Sequence, residues 1–136
     1  MPALGVEAQV TASLRAMNAV GGYPMSLVCT DRGLLIASAG ELVRSEVIAG
    51  LTSLFDDIAV RAARDLGLAD IDELSLSDAY VGRLVVRPLT RAHNPRLFLV
   101  VQVPPHRAWR KNTNIAARSL MSILGPLLAT FTQPNE

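Results

Sequence analysis

Hydrophobic residues recur along the chain with two different periods, and the changes of period mark the element boundaries. From Glu7 to Asn18, Val10, Leu14 and Met17 stand at i, i+4 and i+7, one face of a helix. Gly21-Gly22-Tyr23-Pro24 stops it, because two glycines and a proline cannot sustain helical bonding. Residues 25–30 (MSLVCT) and 34–39 (LLIASA) are short, apolar and bounded by turns. Between them Asp31-Arg32-Gly33 supplies the left-handed residue that a tight hairpin needs.

From about Glu41 to Leu66 the period becomes helical again. Val43, Val47, Leu51, Leu54 and Ile58 form one ridge, and Ile48, Phe55, Ala59, Ala62 and Leu66 form the next. Together the ridges span roughly 160° of the helix, whereas a helix covering one sheet needs a stripe of little over 100°. The surplus predicts that this helix packs on its own sheet and on a second helix. Gly67 sits where a left-handed C-cap is expected. The alternating IDELSLSDAY (71–80) and GRLVVRPL (82–89) read as strands, with Pro88 suited to a strand end. The unbroken apolar run LFLVVQV (97–103) suits a central strand buried on both faces. A closing helix from about Arg107 carries Ile115, Ala116, Leu120, Ile123, Leu124, Leu127 and Leu128, and Pro126 is expected to kink or break it. The order α-β-β-α-β-β-β-α predicts an α+β fold. Its five-stranded, mainly antiparallel sheet carries the long middle helix on one face and the terminal helices on the other.

Composition narrows the picture. With 136 residues, one domain over 1–136 is expected, its core about 7–128. Half of the residues are hydrophobic and 18% charged, against roughly 25% charged in an average domain, so intrinsic disorder is excluded. The mean hydropathy of +0.31 is more apolar than a monomer of this size needs, which points to surface hidden against a partner. Cys29 is the only cysteine, so neither an internal disulfide nor a thiolate metal cage can form. No signal peptide is visible at the start, and SLMSILGPLLATF falls short of the ~18 apolar residues of a membrane helix. A cytoplasmic protein without membrane insertion is expected.

The net charge is only +1, yet the first 80 residues hold eleven acids and five arginines, while the rest holds eight bases and one acid. Such asymmetry either marks an interaction surface or cancels where the two halves interleave.

Catalytic chemistry finds no constellation. His93 and His106 stand in loops, with no second ligand at i+4 and no nearby cysteine. The only lysine is Lys111, and Gly21-Gly22 precedes a strand rather than the helix of a phosphate loop. Asp56-Asp57 and Asp72-Glu73 are adjacent acids pointing about 100° apart, which reads as solvated surface. Cys29 lies mid-strand among apolar neighbours and reads as a buried, inert thiol. No enzyme activity, metal or cofactor is expected. One cluster stands out: PHRAWRKN groups Arg107, Arg110 and Lys111 around Trp109, the only tryptophan. It reads as a docking patch for an acidic partner or a phosphate backbone. The alternative, ranked ahead of it, is a tryptophan stacked on the sheet beneath arginine stems.

Three segments, SLVCTDRGLLIAS, EVIAGLTSLFDDIAVRAARDLGL and KNTNIAARSLMSIL, together with the element order, resemble the Roadblock/dynein-light-chain family over roughly residues 7–128. That resemblance implies a profilin-like fold and a non-catalytic adaptor. Members form homodimers, or heterodimers with a paralogous subunit, through the long middle helix and the strand after it. Many bind small Ras-like GTPases as regulators or scaffolds. On this basis Val47, Leu51, Leu54, Phe55, Ile58, Ala59 and Ala62 are expected on the faces that the middle helix shares between sheet and partner. A nucleic-acid-binding module built on the basic second half ranks lower, because the arginines are scattered and the pI is about 8.0. A small-molecule sensor ranks below that, given few aromatics and few inward-facing polar residues.

Overall fold

The computed structural model describes residues 5–40, 44–90 and 95–132, with side chains as far as residue 128. Helix α1 runs Val6–Gly21, β1 Met25–Thr30, β2 Leu35–Gly40, α2 Ser45–Leu66, β3 Leu74–Asp78, β4 Gly82–Pro88, β5 Leu97–Val103 and α3 Arg110–Thr132. The strands form one sheet in the order β2-β1-β5-β4-β3, and every neighbouring pair is antiparallel. Expected order and architecture are both found.

Local signals account for most boundaries. Gly67 caps α2 in the left-handed conformation at φ 69°. Gly33 turns the first hairpin at φ 79°, and Thr30 Oγ1 accepts the N–H groups of Arg32 and Leu34 at 3.2 Å. Leu34 is thereby drawn into the turn, so β2 starts one residue later than predicted. β4 ends at Pro88, where a missing N–H costs no ladder bond.

Four further boundaries differ from expectation. α1 continues past Asn18 to Gly21, which packs against the Tyr23 ring, and is capped by left-handed Gly22, φ 70°, whose N–H donates to the Asn18 carbonyl. α2 starts at Ser45, and residues 41–43 lie outside the described residues. β3 occupies only the middle of the segment 71–80. α3 starts at Arg110 rather than near Arg107. The chain first turns at His106, with φ 65°, where the Arg107 N–H donates to the Pro104 carbonyl at 3.3 Å.

Pro126 does not break α3, which carries it on to Thr132. A proline inside a helix costs about 3 kcal/mol. Leu120 and Leu124 before it and Leu128 after it are all buried on the sheet. Burying a leucine stabilises by about 1.5–3 kcal/mol, so tertiary packing offsets much of the lost bond.

Two cores flank the sheet. α1 and α3 cover one face, with Val10, Leu14, Leu120 and Leu124 meeting Val28, Val85, Leu99 and Val101. α2 covers the other, where the smaller core holds Met25, Leu27, Cys29, Ala49, Val86, Phe98 and Val100. β5 is the middle strand and is buried on both faces, as its apolar run predicts.

Burial pushes the Cys29 thiol up to about 11, against the lowering effect of a hydrogen bond with Thr52. The thiol is therefore protonated and enclosed at neutral pH. Ellman's reagent is expected to leave Cys29 untouched in the native protein at pH ~8 and to titrate it fully in guanidinium. Fast native labelling would contradict this burial.

Candidate functional site

α2 turns an unexpected side toward its own sheet. Its buried line is Ser45, Ala49, Thr52 and Asp56, spaced four, three and four residues apart. These small and polar residues let the helix sit close, while Ile48 and Phe55 pack beside them on the core. Thr52 Oγ1 donates back to the Ile48 carbonyl at 2.9 Å and also meets the Cys29 thiol of β1. Asp56 pairs with Arg96 at the entry to β5, and Asp31 in the first hairpin turn lies 3.8 Å from the same guanidinium. The reading of Asp56-Asp57 as a solvated pair is thus corrected for Asp56, which is buried, while Asp57 stays exposed. Burial raises the Asp56 carboxyl above its ordinary range, Asp31 and Asp57 add to this, and Arg96 opposes it.

With small residues facing inward, the large ones face out. Val47, Leu51, Leu54 and Ile58 are 64, 41, 56 and 55% exposed. They lie opposite the buried line at 100° per residue. Phe55, Ala59 and Ala62 are half-buried along the flank between the two. The structure therefore separates the seven expected helix residues into an outward ridge of four and a flank of three. The missed anchor residues carried a signal in the 4-3-4 spacing of Ser45, Ala49, Thr52 and Asp56. Hydrophobicity alone ranks such a stripe as solvent-facing.

The ridge is continuous with a groove of about 290 Å³ between the first half of α2 and the β3–β4 hairpin. Val47, Ile48 and Leu51 form one wall, and Leu76, Val81 and Leu84 the other. β3 is an edge strand, and Leu76 is 59% exposed on it. A ridge of large aliphatic side chains beside an unpaired strand edge is surface that a monomer normally covers or charges.

The β3–β4 turn is held by Asp78, whose Oδ2 accepts the N–H groups of Tyr80 at 2.9 Å and Val81 at 2.8 Å. Those bonds hold the Asp78 carboxyl below its ordinary range. A depressed folded value gives stability that is present above the unfolded pKa and lost as pH falls through the folded one. The Tyr80 and Val81 amides are accordingly expected to lose protection, relative to their intrinsic exchange rates, once pH drops below about 4, and Asp78→Asn to weaken that pH dependence. Amide exchange followed by NMR checks this, and a profile unchanged by the substitution would contradict it.

The Arg/Trp cluster is built into the fold. Trp109 is half-buried against the α1/α3 core, and its Nε1 donates to Glu73 Oε1 at 2.7 Å. The Arg83 guanidinium lies 4.7 Å from the ring centroid and that of Arg110 lies 5.9 Å away. Arg107 lies against Gly22 at the C-terminus of α1, where a cation complements the helix dipole. Lys111 is exposed and has no ion-pair partner among the described residues. Glu73 therefore departs from the solvated reading of Asp72-Glu73. Trp109 has one face occupied by Arg83, which leaves little room for base stacking. His106 is exposed, and His93 lies outside the described residues. Among the described residues no three His, Cys, Asp or Glu side chains gather where a metal would bind, and no helix is long and apolar enough to cross a membrane.

Neither a protein-family model nor a curated protein sequence matches the chain. Solved structures do. MglB of Myxococcus xanthus superimposes with a TM-score of 0.78 at 17% identity, covering 100% of this chain and 98% of that one. A structure described as MglB with a tetrameric arrangement gives 0.79 at 16% identity, over 94% and 96% of the two chains. A Roadblock/LC7 domain from Streptomyces avermitilis gives 0.65 at 10% identity, over 90% and 98%. The chain has the fold of the Roadblock/LC7 domains, as its three resembling segments implied.

Proposed function

We propose that this protein is a non-catalytic, dimeric adaptor that binds a small Ras-like GTPase or a related protein assembly in the cytoplasm. One observation carries the reading: the outward ridge Val47, Leu51, Leu54 and Ile58 is apolar, contiguous with the β3 edge, and uncovered among the described residues. A two-fold arrangement places the same ridge of a second copy, or of a paralogous subunit, against it, and lets two β3 edges join the sheets. The Roadblock/LC7 fold supports this, since one structure that shares it carries a tetrameric arrangement. The resemblance to GTPase-binding relatives supplies the partner class. The single cysteine, enclosed and protonated, suits a reducing compartment.

The partner half of the reading is tested by calorimetric titration of the Ras-like GTPases of the source organism, each loaded with GDP or a non-hydrolysable GTP analogue. Saturable binding of at least one, sensitive to the nucleotide, is expected, with no GTP turnover by the chain alone. Absence of binding by every one of them would overturn the GTPase assignment.

A further inference from the structure

We propose that the groove between α1 and α3, on the face away from α2, receives an acidic amphipathic helix from another protein. The two helices lie antiparallel: Ser13 Oγ and Ser119 Oγ are 3.0 Å apart at one end, and Asn112 Nδ2 donates to the Tyr23 hydroxyl at 3.0 Å near the other. Between them runs a groove of about 230 Å³, lined by Ala16, Met17 and Val20 from α1 and by Ile115 and Ala116 from α3. Val20 is 76% exposed and Ile115 55%, although each stands beside fully buried neighbours of the core. The lining residues repeat at i, i+3, i+4 and i+7 on both helices, so the depression follows the helix axes, as the groove for a third helix does. On its outer side α1 presents Ala8, Ala12, Ala16 and Ala19, all exposed and small enough for close backbone approach.

Charge identifies the occupant. Lys111 and Arg118 stand four residues before and three residues after Ile115, on the same ridge of α3. α3 contains no acidic residue, and neither cation has an ion-pair partner among the described residues. Arg15, also exposed, stands on the far side of α1 from the groove at 100° per residue, so Lys111 and Arg118 alone carry the charge beside it. A second copy docked face to face would set these cations against their own equivalents, so a twin is disfavoured here. A flat lipid surface does not reach Met17, recessed and 5% exposed between the helices. A partner helix with an aliphatic stripe for the groove and carboxylates along its flanks satisfies both features at once. This assignment uses no residue of α2 and is independent of the dimer.

The test is an NMR titration of the isotope-labelled full chain. The probes are a synthetic helical peptide with leucine at i, i+4 and i+7 and glutamate on its other faces, the same peptide with lysine for glutamate, and phosphatidylserine vesicles. Saturable amide shifts are expected over residues 13–20 and 112–119 with the acidic peptide and none with the basic one. Lys111→Glu with Arg118→Glu is expected to weaken binding roughly tenfold, and Ile115→Glu to abolish it while the circular-dichroism melting curve stays cooperative. Leu54→Asp on α2 is expected to leave the shifts unchanged. Equal shifts from both peptides, shifts confined to α2, no shifts at all, or vesicle binding in their place would each overturn the proposal.

Discussion

Leu54→Asp is expected to convert the proposed dimer into a folded monomer. Leu54 lies mid-ridge on α2, 56% exposed, so a carboxylate there meets water in the isolated chain and leaves both cores untouched. In a two-fold assembly the same position faces the partner's equivalent surface, and two desolvated, unpaired carboxylates enter one interface. Leaving an uncompensated charge buried costs about 3–5 kcal/mol, so association should weaken roughly a hundredfold to several thousandfold. Asp56 marks the contrast. It is also a carboxylate on α2, but it faces the sheet and is held by Arg96. Sedimentation velocity should give the variant one slower, monomeric species with a melting curve close to that of the parent monomer. An unchanged oligomer would remove the ridge from the interface.

Gly82→Ala is expected to be the most damaging single-methyl addition in the chain's second hairpin. Gly82 opens β4 at φ 112°, a conformation that L side chains rarely adopt. A Cβ there would stand 2.1 Å from the Val103 carbonyl oxygen and 3.0 Å from Pro104, both backbone. Neither neighbour can rotate away, so the turn between β3 and β4 must shift or open. A loss of about 3 kcal/mol or more follows from combining a strained φ with a backbone clash, which corresponds to roughly 10 °C in melting temperature. Because Asp78 and Val81 shape the same turn and Val81 walls the groove beside α2, dimerisation should weaken together with stability. Gly125→Ala is the control: it is helical, nothing stands within 4 Å of its added Cβ, and it should be neutral or slightly stabilising. Equal melting temperatures for both variants would contradict the strain at Gly82.

The features legible in the sequence are those with local causes. The Asp31-Arg32-Gly33 turn, the Gly67 cap and the central place of LFLVVQV each rest on a few adjacent residues, and each stands where it was expected. The amphipathic period also located α2 and the surplus of apolar surface on it. Which side of α2 meets the sheet was not legible. That choice depends on Arg96, forty residues beyond Asp56, and on small residues that hydropathy ranks low. Trp109 illustrates the same limit, since its Glu73 hydrogen bond and its Arg83 neighbour come from distant positions that only the sheet brings together. Pro126 misled for the opposite reason: a strong local breaker is overridden by the burial of Leu128 beyond it.

Sheet-facing small residues, outward-facing large ones and an open strand edge make a single mechanical statement about α2. On the proposed reading its most apolar side, Val47, Leu51, Leu54 and Ile58, meets another molecule's surface. Light scattering coupled to size-exclusion chromatography, run on the unmodified protein at micromolar concentration, tests this most directly. A single species with twice the 14.6 kDa mass of the chain, or a higher even multiple, is the expected result. A stable, soluble species at the mass of one chain, unchanged on concentration, would show that the ridge remains in water and would contradict the assignment.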